Sequence, residues 1–291
     1  MSTVSKTDMP LVRRCLVLLL AILSSCQSTS APEFQSEPYH FVYQVPEVTG
    51  DGWEAASLLD VGLMEGPLSE LMMDLHELEN HDIHALVAVR DEKLVFEEYF
   101  YGRKFSLARY TGGVGFDRND THNLASVTKS ITTTLLGIAL DQGFFGSVHD
   151  RVFDSFPEHV DLVVADPRRG ERTIEDLLLM TSGITFKPED IPYSKTNNDL
   201  VRMFNSEVAT ERIKTPTGPH AWADGYGWWH WDLFSGGRNH AVYMASGWGG
   251  QWIFVIPEQD MVFVSTAGNY STPAPLFADR LLSDYLLPAI Q

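Results

Sequence analysis

Ser126 and Lys129 stand three residues apart near the start of a mostly apolar run from Asn123 to Gly143. On an α-helix that spacing puts both side chains on one face, so the hydroxyl and the amine can meet. A serine hydroxyl attacks carbonyl carbon only when a base takes its proton. A lysine buried beside the positive end of a helix holds its proton less tightly and can be that base. Such a pair supports transfer of an acyl group onto the serine. A bare Ser-x-x-Lys also arises by chance. Here Leu135, Leu136, Ile138 and Leu140 follow on the same helix, and the expectation is that they are buried behind the polar turn.

Other side chains offer weaker chemistry. His81 and His84 follow a helix end, and no His-Glu-x-x-His or comparable zinc spacing occurs, so neither a metal nor a cofactor is expected. His220, His230 and His240 fall near the expected walls of the site and read mainly as surface or strand residues. Gly112-Gly-Val-Gly115 precedes no nucleotide-binding βα unit and reads as a loop. Trp228, Trp229, Trp231, Trp248 and Trp252 crowd the last third of the chain. They read first as packing between sheet and helices, with an acyl pocket of Trp228, Trp229 and Trp248 as the alternative.

The elements that position these groups are legible from periodicity. Leu68, Leu71, Met72, Leu75 and Leu78 repeat at helical spacing between Pro67 and Asn80. Ile83–Arg90 and Leu94–Tyr101 alternate around Asp91-Glu92-Lys93 and predict a β-hairpin. Residues 102–122 read as a Gly-rich loop leading to the Ser126 helix. Thr173 to Gly183 predicts a short helix with Thr173 as N-cap and acids in the first turn. Residues 184–222 read as loop-rich, with one short helix near Asn198–Asn205. Strands follow at Gly227–Leu233, Asn239–Ser246, Gln251–Ile256 and Met261–Thr266, and a last helix at Pro275–Leu287. The expected fold class is α/β: an antiparallel sheet built from both chain ends, flanked by helices.

The formal charge of −18 argues against a nucleic-acid partner, which needs a basic footprint. Arg13-Arg14 precede the apolar residues Cys15 to Leu23, too few to span a bilayer and typical of a secretory signal. Leu23-Ser-Ser-Cys26 resembles the lipobox of bacterial lipoproteins. That resemblance implies a lipidated Cys26, a membrane anchor, and a place in the cell envelope, with Gln27 pointing to the outer membrane facing the periplasm. The expected organisation is a lipoprotein signal peptide over 1–25, a tether and N-terminal extension over 26–66, and one catalytic domain over 67–291. Cys15 and Cys26 are the only cysteines, so the domain has no disulfide.

Several segments in order carry a family resemblance. They are Val95-Phe-Glu-Glu-Tyr-Phe-Tyr-Gly102, Leu124-Ala-Ser-Val-Thr-Lys-Ser130, Thr173 to Gly183, Pro192 to Met203, Gly247-Trp-Gly-Gly-Gln-Trp252 with its following strand, and Leu281 to Pro288. Together the chain resembles the serine β-lactamase-related hydrolases: class C β-lactamases, D-Ala-D-Ala carboxypeptidases and related esterases, most of all the 6-aminohexanoate-dimer hydrolase branch. The resemblance implies a β-lactamase/transpeptidase-like fold and an amide or ester substrate, small or peptide-like. It implies Ser126 as nucleophile and Lys129 as base. It matches the third motif to Ala245-Ser246-Gly247, with the amides of Trp248 and Ser126 as oxyanion hole and Gly247 opening the strand edge to substrate. The family's Tyr-x-Asn motif is missing, and the helical subdomain reads as shortened. Tyr193, in that branch's position, or Tyr226 could supply the phenol. Otherwise Lys129 acts alone, or the chain is a non-catalytic relative that binds peptidoglycan or a partner.

Overall fold

The computed structural model describes residues 39–78, 81–106, 109–183, 223–270 and 280–291. Tyr193, Cys26, the leader, His220 and the expected helix near Asn198–Asn205 lie outside the described residues.

The main sheet has eight strands. In chain order they are β1 (Glu54–Ala55), β2 (Ile83–Arg90), β3 (Lys93–Tyr99), then, after a separate hairpin of β4 (Tyr101–Ser106) and β5 (Arg109–Gly115), β6 (Ala223–Gly225), β7 (Trp228–Ser235), β8 (Arg238–Gly247), β9 (Gln251–Ile256) and β10 (Met261–Ala267). Their spatial order is β1-β3-β2-β10-β9-β8-β7-β6. Only β1 runs parallel to its neighbour β3; the other pairings are antiparallel. β2 and β10 pair in the middle, Val87 opposite Val264, which joins the two ends of the chain as expected.

The β2–β3 turn uses Asp91 and Glu92, both with positive φ (51° and 61°). Two such residues give the turn whose twist matches the flanking strands. The hairpin β4–β5 corrects the reading of 102–122, and of Gly112–Gly115 in particular, as loop. Glycine carries no side chain to show alternation, so a strand built on Gly112, Gly113 and Gly115 is silent in the periodicity.

The helices are α1 (Glu65–Glu77), α2 (Val127–Asp141), α3 (Val160–Ala165) and α4 (Ile174–Leu178). A π-helical stretch, Leu281–Leu286, continues into Leu287–Ala289 at the C-terminus. α4 starts on a capping box: the Thr173 hydroxyl accepts from the Asp176 amide and the Asp176 carboxylate from the Thr173 amide. α1 buries Leu68, Leu71, Met72 and Leu75. They join Leu281, Leu282, Leu286, Phe254, Phe263, Val242 and Met244 in the main core.

α2 packs on β8 and β9, but not in the expected manner. It buries only Val127 and Ser130. Leu135 is 62% exposed, and Ile131 and Ile138 are also exposed. The expectation that Leu135 and Ile138 lie behind the polar turn is therefore corrected for the described residues. Periodicity reports how wide an apolar stripe is, not which neighbour arrives to cover it.

Candidate active site

Lys129 Nζ lies 2.9 Å from Ser126 Oγ, as the helical spacing requires. Ser126 is the N-cap of α2, yet its hydroxyl makes no cap bond and is left to the lysine. Ala125, immediately before it, has φ 46°. A left-handed conformation at a residue with a Cβ costs about 1–2 kcal/mol and is held only where the surroundings impose it. One restraint is local, since the Asn123 side-chain oxygen accepts from the Ala125 amide at 2.9 Å.

A second restraint comes from the sheet. Gly247, the last residue of β8, lies against the Leu124 carbonyl; a Cβ at Gly247 would meet that oxygen at 2.4 Å. The missing side chain at Gly247 thus leaves room for the turn that carries Ser126. Gln251, fully buried, holds the facing strand. Its amide nitrogen donates to the Ala267 carbonyl at 2.6 Å, and its oxygen accepts from the Ala267 amide at 3.1 Å.

Ser246 is half-buried and pairs with Trp252 across β8–β9. Trp248 begins the turn and is 60% exposed. Its ring meets Tyr270 edge-on at 5.2 Å. The Tyr270 hydroxyl reaches the Asn123 carbonyl at 3.5 Å, and burial pushes its acidity down, that is, its pKa up. Gly247 and Trp248 therefore adjoin the turn carrying Ser126, whose amide is the other expected oxyanion donor.

From the opposite side the β6–β7 turn clamps α2. The Ser130 hydroxyl donates to the Gly227 carbonyl at 2.6 Å, and the Trp228 indole N–H donates to Thr134 at 3.1 Å. Tyr226, one of the expected phenols, is turned to Glu175 at 2.9 Å, and this hydrogen bond raises its pKa. Its hydroxyl is thus engaged by Glu175. Trp229, Trp231 and Trp252 pack on the core, so the packing reading of the tryptophans holds for these three.

Lys129 and Ser126 are both exposed. The expectation of a lysine buried in the first turn is corrected: among the described residues nothing encloses it. Side-chain burial depends on neighbours brought from afar, which the local spacing does not encode.

A histidine chain supports the same turn and had no signal in the spacing. His84 on β2 is 2% exposed and its Nδ1 lies 2.7 Å from His122 Nε2. His122 Nδ1 lies 3.1 Å from the Asn123 carbonyl, which can only accept. The two contacts join His84, His122 and the Asn123 carbonyl in one chain, with the donor at each step set by the ring tautomers. His84 stacks on Phe116 at 3.8 Å and occupies the space that Cβ atoms at Gly102 and Gly268 would need. Burial, then the neighbouring His122, pushes His84 down to about 3, and burial lowers His122 as well. His81 is used locally, its Nδ1 accepting from the Ile83 amide at 2.9 Å. His240 Nε2 faces the Ser235 carbonyl at 3.2 Å, and His230 stands 3.6 Å from Asp232 and ring to ring with Tyr243. No group of three or more metal-binding side chains occurs among the described residues.

The family model described as Beta-lactamase matches residues 80–215. No curated protein matches the chain. Among solved structures, a "putative beta-lactamase" from Bacteroides dorei aligns with a TM-score of 0.46 at 12% identity, covering 71% of this chain and 91% of that one. A "putative 6-aminohexanoate-dimer hydrolase" from Bacillus anthracis aligns with a TM-score of 0.44 at 12% identity, covering 71% and 77%.

Proposed function

The chain matches the beta-lactamase family over residues 80–215, and on that premise we propose that it is a serine hydrolase cleaving an amide or ester through an acyl-enzyme on Ser126. The observation that carries this reading is the 2.9 Å approach of Lys129 Nζ to Ser126 Oγ. In the first step the Oγ–H proton passes to the uncharged amine as Oγ bonds the carbonyl carbon. The amides of Ser126 and Trp248 donate to the oxyanion. The bond to the leaving nitrogen or oxygen then breaks, and that atom takes the proton from Lys129. Water repeats the cycle on the acyl-enzyme, returning the proton to Oγ. No cofactor takes part.

Only the uncharged amine can accept the proton. Lys129 is exposed, so a bound substrate has to displace the water around it. Tyr193 belongs to the proposal as the phenol that shares the proton. So does a lipid on Cys26 holding the protein in the envelope, on the strength of the apolar run Cys15 to Leu23 and the small residues before Cys26. The net charge of −18 argues against nucleic acid as a partner.

The exposure of Lys129 favours one second reading, a non-catalytic envelope lipoprotein that binds peptidoglycan or a partner. Intact mass after treatment with a fluorophosphonate separates the two. The catalytic reading expects one adduct on the wild type, none on Ser126→Ala, and slower labelling of Lys129→Met. A wild type that melts cooperatively yet takes no adduct defeats it; saturable binding of cell-wall fragments would then support the second.

A further inference from the structure

A groove of about 700 Å3 starts at Lys129. One wall is a single stripe of α2: Lys129, Thr132, Thr133 and Leu136, spaced three and four apart. Ser126 stands one turn ahead on the same stripe. The facing wall comes from the segment through α4, with Val152, Phe156, Ile174, Leu177 and Met180. Gly227 joins the two near Lys129, where a Cβ would touch Thr133 at 3.5 Å.

Phe156, Leu177 and Met180 are large apolar side chains left exposed on this wall. Contiguous exposed apolar surface beside a reactive pair marks a place where a ligand is seated. Its described lining favours an uncharged occupant. Among the described residues that line the groove, Lys129 is the one ionisable side chain, and the proposed mechanism uses it as the base. No other described lining side chain can pair with a substrate carboxylate. Along α2, Thr128, Thr132 and Thr133 lie nearer Lys129 than Leu136 does, and the rest of the described lining is apolar apart from Ser155 and Gly227. The polarity gradient matches a carbonyl at one end of a hydrocarbon chain.

The geometry points to an uncharged ester with a linear apolar acyl chain as the substrate class. The chain lies along α2 from Lys129 toward Leu136, a rise of about 10 Å that fits about eight carbons. This rests on the acyl-transfer reading above. The Oγ–C bond forms as the C–O bond to the alcohol breaks, the alcohol leaves with the proton from Lys129, and water releases the fatty acid. An acyl chain in the groove also covers the exposed amine, which supplies the displacement of water that the base step requires.

The test is kcat/KM of the full protein for p-nitrophenyl esters from acetate to laurate, with fluorophosphonate labelling measured in parallel. A fully buried methylene is worth about 4-fold and one in a half-open groove about 2-fold, so octanoate is expected to exceed acetate by about 50-fold, with a plateau or fall beyond about ten carbons. In Leu177→Arg, whose side chain is 42% exposed on α4, the octanoate-to-acetate ratio is expected to drop at least about 10-fold, with the melt still cooperative. A flat or falling profile in a protein that labels normally overturns the acyl-chain assignment and leaves the hydrolase reading standing. A preference that follows the alcohol in alkyl acetates, not the acyl chain, overturns it as well. Absence of both labelling and turnover defeats the hydrolase reading and this inference with it.

Discussion

Gly247→Ala is expected to disable the serine without touching it. The new Cβ would stand 2.4 Å from the Leu124 carbonyl oxygen, 3.1 Å from Gln251 Cβ and 3.3 Å from Gln251 Cγ. Gln251 cannot yield, because it is fully buried and bridges Ala267 through two hydrogen bonds. The carbonyl has to move, by roughly 0.8 Å to reach a tolerable contact. That oxygen accepts from the Val127 amide at 3.1 Å, so the displacement passes into the turn that carries Ser126. A misplacement of about 1 Å at a reacting group costs about 100-fold in rate. Overpacking of this kind also lowers stability by about 1–3 kcal/mol. The assay is the second-order rate of fluorophosphonate labelling, with urea melts alongside. Gly237→Ala is the control: φ there is 82° and nothing lies within 4 Å, so it is expected to cost about 1 kcal/mol of stability and leave the labelling rate alone. If Gly247→Ala keeps more than half the wild-type labelling rate, the Leu124 contact does not govern the nucleophile and the reasoning is refuted.

Two further outcomes follow from other parts of the molecule. His84 has its folded value pushed down to about 3 from 6.5, so the unfolded chain takes the proton first and stability falls as pH drops from about 6.5 toward 3. The slope contributed is at most about 1.4 kcal/mol per pH unit and the total about 2–4 kcal/mol; urea melts from pH 7 to 4 are expected to show a shallower decline in His84→Gln, and equal slopes would refute the assignment. Cys26→Ala is expected to move the protein from the membrane fraction to the soluble fraction of the producing cell, and unchanged partitioning would exclude the lipid anchor.

Much of the scaffold was legible because its signals are local. Asp91-Glu92 set the β2–β3 hairpin, Thr173 and Asp176 the start of α4, and alternation the four strands from β7 to β10. A spacing of three residues was enough to bring Ser126 and Lys129 together, since one helical turn fixes that distance whatever surrounds it. Other features needed the folded chain. The β4–β5 hairpin was hidden in glycines, which leave no alternating pattern. The exposure of Leu135, Ile138 and Lys129 depends on what packs over α2, and periodicity does not name that neighbour. Gly247 under the Leu124 carbonyl, His84 against His122, and the groove between α2 and α4 join residues far apart in sequence. Their chemistry exists only because strand pairing, with β2 beside β10 and β8 beside β9, brings them to one place. The sequence by itself determined the pairing of Ser126 with Lys129 and the elements that carry them; the tertiary structure decided how that pair is held, how open it is to water, and what lies beside it.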